Sequence, residues 1–170
     1  LSSDGTKLES KTGVAPLVAR NIVDFRELAE ANGDGYQQMD IHVIDVLQTL
    51  FYVEFATLHS QSIHPGYTGG TEAKPTGGTD SVVASSGAMG ADSTYQFMYR
   101  GIEDLWGNVY QFVDGMNIND HQTWVTKDFR DYASNVFASP YEKLGYVNLD
   151  TNSWVTEMGY DPKHPYAQLP

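Results

Sequence analysis

Residues 99–115 read YRGIEDLWGNVYQFVDG, the densest stretch of the chain. Trp106, Gly107 and Asn108 make a corner between an apolar and acidic run and a segment rich in β-formers. Within residues 109–113, Val109, Gln111 and Val113 share one face and Tyr110 and Phe112 the other, with Asp114 following on, which is the alternation of a strand. A hairpin is predicted next. Residues 116–118 turn through Asn119 and Asp120 into HQTWVT, where Trp124 and Val125 are good strand residues.

Upstream of the corner the pattern is helical. Asn21 can cap a helix that carries Asp24 at its third position, near the positive end of the helix dipole. Phe25, Leu28 and Ala29 supply the apolar stripe, and Gly33 supplies a stop. A second helix is predicted to begin after Asp40 and to run from residue 41 to about residue 57. At about 100° per residue its apolar arc holds Val43, Ile44, Val46, Leu47, Leu50, Phe51, Val53 and Leu58, with Asp45, Gln48, Thr49 and Tyr52 opposite. Glu54 falls near the centre of that arc. A carboxylate there must be paired, hydrogen-bonded or protonated, because an isolated buried charge is too costly; it either holds backbone amides or an Arg such as Arg100 in place or serves as a catalytic acid.

The remaining segments are less regular. Residues 1 to about 20 read as extended and polar. Residues 64–92 are dominated by Gly, Ser, Thr and Pro, with TGGT at 68–71 and again at 76–79. Such a stretch buries too little apolar surface to form an element of its own, so a long surface loop is expected, either a flexible excursion or a functional one. It lacks phosphate-cradling spacing, since no Lys-Ser or Lys-Thr follows its glycines. The tail from residue 128 to 170 reads as loops with short strands at KLGYVNL and SWVTEMG.

Composition excludes several function classes. Ten Lys plus Arg against 22 Asp plus Glu leave a net charge of −12, which repels a phosphate backbone and an anionic membrane alike. Nucleic acid and membrane are therefore not expected as partners. The absence of cysteine removes disulfides, thiolate metal sites and every Cys nucleophile. The chain is long enough for one ordinary core, so a single domain over residues 1–170 is expected. The run IHVIDVLQTLFYVEFATL carries His42, Asp45, Gln48 and Glu54, which argues against a membrane span.

Few residues point to catalysis. His42, His59, His64, His121 and His164 show no metal-ligand pair at helical spacing, and Ser85 and Ser86 lack the strand-turn-helix context of a nucleophile. Asp104 and Gln111 flank the corner, where side chains and backbone carbonyls can turn toward one point. Oxygen donors of this kind suit calcium; equally, Asp104 can cap the turn while Gln111 bonds backbone.

LWGNVYQFVDG resembles the Gly-Asn-Val-Trp-Glu-Trp-Val signature of the formylglycine-generating-enzyme (sulfatase-modifying-factor) superfamily, whose fold is C-type-lectin-like. GYQQMDIHVIDVLQTLFYVEFAT is similar to the helical region of the same superfamily, with Glu54 on its glutamate. The closer likeness, over most of residues 12–170, is to its bacteriophage and prophage virion proteins. It is carried by FRELAEANGDGYQQMDIHVIDVLQTLFYVEFATLHSQS, YRGIEDLWGNVYQFVDGMNI and GYDPKHPYAQLP. The resemblance implies an α+β, C-type-lectin-like fold, two helices packed on a small twisted antiparallel sheet with long loops. It makes the Trp106 corner and the Glu54 helix two halves of one scaffold, with Glu54, Arg100, Trp106 and Asn108 in structural roles. Its calcium site would fall on the side chains of Asp104 and Gln111 and the carbonyls of Gly107 and Val109. Gln111 stands where a glutamate is usual and Asp104 where an asparagine is.

The copper-binding cysteines of the enzymatic members are missing, and no histidine triad of the related iron enzymes can be placed. The expectation is thus a non-enzymatic virion module at the surface or tail of a phage particle, an internal portion of a longer protein. Its sheet would be completed by other virion chains, by a second copy or by the rest of its own polypeptide, and it would bind a host-surface saccharide or protein. Tyr67, Trp124 and Trp154 are the rings that could stack on sugar. The alternatives are a metal-dependent oxidoreductase of the formylglycine-generating type and a purely architectural capsid or tail component.

Overall fold

In a computed structural model that describes residues 2–147 and 158–168, the chain is α+β. Among the described residues it has two α-helices, two three-stranded antiparallel sheets and a two-stranded ladder of β1 (Ser2–Ser3) with β2 (Leu8–Glu9). The chain divides into two compact units. One comprises Leu1–Gln37 and Ser60–Gln111, the other Gln38–His59 and Phe112–Pro170.

In the first unit, helix α1 (Ile22–Glu30) starts at a capping box. Asn21 Oδ1 accepts the Asp24 N–H at 3.0 Å, and the Asp24 carboxylate accepts the Asn21 N–H at 3.4 Å, so two otherwise orphaned donors are satisfied reciprocally. The other end is closed by the Asn32 amide, which donates to the carbonyls of Leu28 and Ala29 and also to Leu8 on β2. Leu8 and Ala29 are accordingly buried. The sheet of this unit runs β3 (Ser86–Ala88), β4 (Phe97–Tyr99), β5 (Ile102–Glu103), with β4 central. Arg100 and Gly101 join β4 to β5 as a two-residue turn with φ of 49° and 80°, the left-handed pair that matches strand twist. Phe97 and Tyr99 on the central strand are completely buried.

In the second unit, helix α2 (Ile41–Phe55) begins at Asp40, whose Oδ1 accepts the Val43 N–H at 2.9 Å. Its start is seated by paired backbone bonds, Ile41 N–H to the Asp114 carbonyl and Asp114 N–H to the Met39 carbonyl, both 2.9 Å. The sheet is β6 (Met116–Asn119), β7 (Gln122–Val125), β8 (Glu142–Val147), again with the middle strand central in sequence. The predicted hairpin is present, but Asn119 pairs with Gln122, so it turns on Asp120 and His121 rather than on Asn119 and Asp120. Ile41, Val125, Leu144 and Ala167 form the core, with Val113, Met116 and Tyr166 packed against it.

Three expectations need correction. The stretch 64–92 is not loop throughout, since Ser86–Ala88 form β3 and pair with the buried central strand β4. Residues 109–113 are not a strand: their backbone joins no ladder among the described residues. Tyr110, Gln111 and Phe112 are all exposed, so the alternation has no buried face to serve. Helix α2 is also rotated, by roughly a quarter turn, from the face its sequence suggests. Ile41, Asp45, Leu47 and Phe51 are buried, while Val43, Val46, Leu50 and Val53 are 43%, 56%, 38% and 77% exposed. The cause is tertiary, because the Gln168 N–H donates to Asp45 Oδ1 at 2.9 Å and the C-terminal segment covers that flank. Glu54 lies on the exposed side rather than within a buried arc. Of the two tail strands, KLGYVNL overlaps β8, and SWVTEMG lies largely outside the described residues.

Candidate functional site

The corner after β5 is built from left-handed backbone. Asp104, Gly107 and Asn108 have φ of 53°, 83° and 61°, so the chain reverses sharply around Trp106. The indole N–H of Trp106 donates to the His64 carbonyl at 2.9 Å, and its ring lies 4.2 Å from that of Phe97, which in turn stacks on the His64 imidazole at 5.5 Å. Burial pushes the His64 pKa down. Gly107 sits so close to the chain at Tyr67 that a Cβ there would meet the Tyr67 nitrogen at 3.0 Å. The Asn108 N–H donates to the Tyr67 carbonyl at 2.8 Å.

The polar side chains of the corner are turned toward the Gly-rich loop. Asn108 brackets the backbone of Lys74, accepting its N–H at 2.8 Å and donating to its carbonyl at 3.1 Å. Glu103 takes the Gly77 N–H on Oε1 and the Thr79 N–H and hydroxyl on Oε2, at 2.7–2.8 Å. The first TGGT is held likewise, with the N–H groups of Thr68 and Gly69 both donating to the Ser93 carbonyl at 3.0 Å. On its other side the loop pairs with the N-terminal segment, through Gly13 N–H to Thr76 O, Thr76 N–H to Val14 O and Thr12 Oγ1 to Asp80. The glycines serve close approach. A Cβ at Gly70 would fall 1.6 Å from the Tyr67 hydroxyl, and one at Gly78 would fall 2.0 Å from Gln96 Oε1. Glu103 was not singled out in the sequence, where it reads as one acid among many. Its role follows from a loop that arrives 24 to 26 residues earlier.

Asp104 stands at the centre of this arrangement. Its Oδ2 accepts from Gln96 at 2.7 Å and Asn108 at 2.8 Å, while Oδ1 is buried with no hydrogen-bond partner among the described residues. Burial pushes its pKa up, opposed by the two amide bonds and reinforced by the neighbouring charge of Glu103. The implied calcium ligands are engaged in part with one another. The Gln111 amide nitrogen donates to the Asp104 carbonyl at 2.5 Å and Gln111 is exposed, while the Gly107 carbonyl accepts the Val109 N–H at 2.8 Å. No group of three or more His, Asp or Glu able to hold a metal occurs among the described residues.

The other candidate residues are dispersed. Tyr67 lies in the first unit, its ring 4.6 Å from the Lys74 ammonium, which also bonds the Thr94 carbonyl and lies 5.8 Å from the Tyr95 ring. Trp124 lies on β7 in the second unit, half-buried and edge-on to Phe137. Trp154 lies outside the described residues. Arg100 occupies the β4–β5 turn, where its Nε donates to the Tyr99 hydroxyl. Trp106 and Arg100 belong to the first unit and Glu54 to the second.

A second cluster, which the sequence reading passed over, sits in the second unit. His164 is 2% exposed, with Nδ1 2.8 Å from Asp161 Oδ2 and Nε2 2.9 Å from Glu142 Oε2. Asp161 also accepts the N–H groups of Gly145 and Lys163. These bonds, His164 first, hold its carboxyl down to about 2. The spacing Asp-x-x-His at 161–164 was its only trace in sequence.

No family model, no curated protein and no solved structure matches this chain. No helix among the described residues is long and apolar enough to cross a membrane.

Proposed function

We propose that the chain is a non-enzymatic structural and recognition module of a phage particle, with residues 64–92 forming the surface it presents to a host saccharide or protein. The virion assignment rests on the sequence resemblance. The recognition assignment is carried by one observation: Glu103, Asn108 and the Ser93 carbonyl fasten the Gly-rich loop at both of its TGGT repeats. A loop ordered in advance loses less conformational freedom when a partner binds. Glu103 and Asn108 are engaged in holding the backbone of the loop, which supports a role in holding. Between the anchors the loop leaves Glu72, Val83 and Met89 exposed.

The C-type-lectin-like scaffold itself is supported by the sequence likeness alone. Binding of the purified chain to host cells and to a glycan array tests the proposal. Substituting Val83 and Met89 together by Asp should lower binding at least about tenfold with an unchanged melting temperature, since exposed positions contribute little to stability. Binding that survives both this change and Glu103→Ala rules the loop out as the reader. No host binding at all, with regular placement in a particle map, assigns the chain to architecture; stoichiometric copper or iron in the purified protein favours the oxidoreductase reading instead.

A further inference from the structure

We propose that the outward face of α2 is the docking surface for a second copy of this chain, the two α2 helices packing side by side and antiparallel. The helix IHVIDVLQTLFYVEF is apolar on all sides, with Asp45 and Glu54 as its only carboxylates and no Lys or Arg. Its inward flank, with Ile41, Asp45, Leu47 and Phe51, is covered within its own unit. An apolar helix with one bare flank still has a face to bury. On that flank Val43, Val46, Leu50 and Val53 recur at intervals of three, four and three residues, the a and d spacing by which one helix takes the side chains of another between its own. Such a stripe complements a copy of itself about a two-fold axis. With the axis beside Gln48, Val43 faces Val53 of the second copy and Val46 faces its Leu50.

Charge selects the arrangement. Two copies of net charge −12 repel each other, so they can approach only through a face poor in charge, and Glu54 is the sole carboxylate on the outward side of α2. Glu54 stands near the end of its own helix, where the carbonyl ends disfavour an acid, whereas the first turn of α2 holds no acid and the last turn no base. An antiparallel copy lays each Glu54 beside the first turn of the other helix, at its positive end. A parallel copy would set Glu54 against Glu54, and like charges facing across an interface are costly. The four aliphatic residues together expose about as much as two whole side chains, an apolar centre smaller than that of a standard interface of about 800 Å² a side, so a weak dimer is expected, half-formed at about 10–100 μM.

The test is sedimentation equilibrium of the full chain, with oxidative cross-linking of single-cysteine variants, for which the cysteine-free sequence gives a silent background. A reversible monomer–dimer equilibrium is expected. Val46→Lys combined with Leu50→Lys should raise its dissociation constant at least about a hundredfold, because two charges then stand at the centre of the stripe. In dilute solution the same variant should melt at the native temperature, since both positions are exposed in the single chain. Glu54→Gln should weaken the dimer about threefold or more; a stronger dimer would mean that the two acids face each other, which overturns the antiparallel pairing. Thr49→Cys, beside the axis, should cross-link to itself, whereas Val43→Cys should not, its two copies lying about 15 Å apart along the helices. A chain that stays monomeric up to about 1 mM overturns the pairing, as does a dimer indifferent to the double lysine change. A lowered melting temperature of the dilute double variant also overturns it, since the face is then covered within one chain.

Discussion

Glu103 and Asp104 are adjacent carboxylates with opposite consequences. Glu103 receives three donors from the second TGGT repeat, so Glu103→Ala strands the N–H groups of Gly77 and Thr79. Its expected cost is about 2–3 kcal/mol in urea unfolding, with Glu103→Gln milder because one acceptor oxygen remains. Asp104 is half-buried, keeps one oxygen unbonded and has its pKa raised, chiefly by desolvation. A raised carboxyl contributes stability below its ordinary value of 3.8 and loses that contribution as pH climbs through the folded value. Asp104→Asn keeps an acceptor for Gln96 or Asn108 and removes the buried charge. Its stability relative to the native chain should therefore improve from about pH 4 to pH 7. A flat difference across that interval, measured by thermal melts, would show that the desolvation of Asp104 is relieved by something else. Tyr132 offers a simpler case. Its hydroxyl donates to the buried Asp40 at 2.9 Å, and Tyr132→Phe is expected to cost about 1–2 kcal/mol by leaving that capping carboxylate short of a donor.

Among the elements, α2 shows how far an apolar arc can mislead. Eight apolar residues leave the direction of burial underdetermined over a wide arc, and the helix settles with Asp45 inward and four aliphatic residues outward. Val46→Lys and Leu50→Lys should therefore change stability by less than about 0.5 kcal/mol, whereas Leu47→Ala and Phe51→Ala should each cost about 2–5 kcal/mol. The reverse ranking in chemical denaturation would restore the face suggested by periodicity. The two hairpins differ in turn chemistry. Arg100-Gly101 has glycine at its second left-handed position, while Asp120-His121 places two side-chain-bearing residues at φ of 48° and 62°. His121→Gly should raise stability by about 0.5–1 kcal/mol, read as a higher melting temperature, because the left-handed conformation is costly for histidine.

Over the whole molecule, pH acts through carboxylates of both kinds. Asp4, Asp128 and Asp161 are held down to about 2 by hydrogen bonds, from Thr6, Arg130 and His164 respectively before other causes. A depressed carboxyl contributes stability above 3.8 that is lost as pH falls toward 2, so these three favour acid unfolding. Asp45 and Asp104, raised mainly by burial, oppose it. Melting temperature should consequently fall only gently from pH 5 to about pH 3.8 and more steeply below. With a sequence pI near 4.5, aggregation should be greatest within that same interval, as light scattering would show.

What the sequence by itself determined lies at short range or in bulk: the net charge of −12, the Asn21 cap with Asp24 at its third position, the helix start after Asp40 and the hairpin after residue 116, though with its turn one residue later than expected. Each depends on residues a few positions apart or on composition, where local geometry leaves one solution. The Trp-Gly-Asn corner was legible as a corner, but the strand after it was not real, since alternation makes a strand only when a neighbour takes up its backbone. Tertiary structure alone decided which flank of α2 is covered, what fastens the Gly-rich loop and what surrounds His164. Those partners are separated by 123 residues for Asp45 and Gln168, by 24 for Glu103 and Thr79 and by 22 for Glu142 and His164. A carboxylate or an imidazole satisfies any donor or acceptor that arrives, and only the packed chain determines which one does.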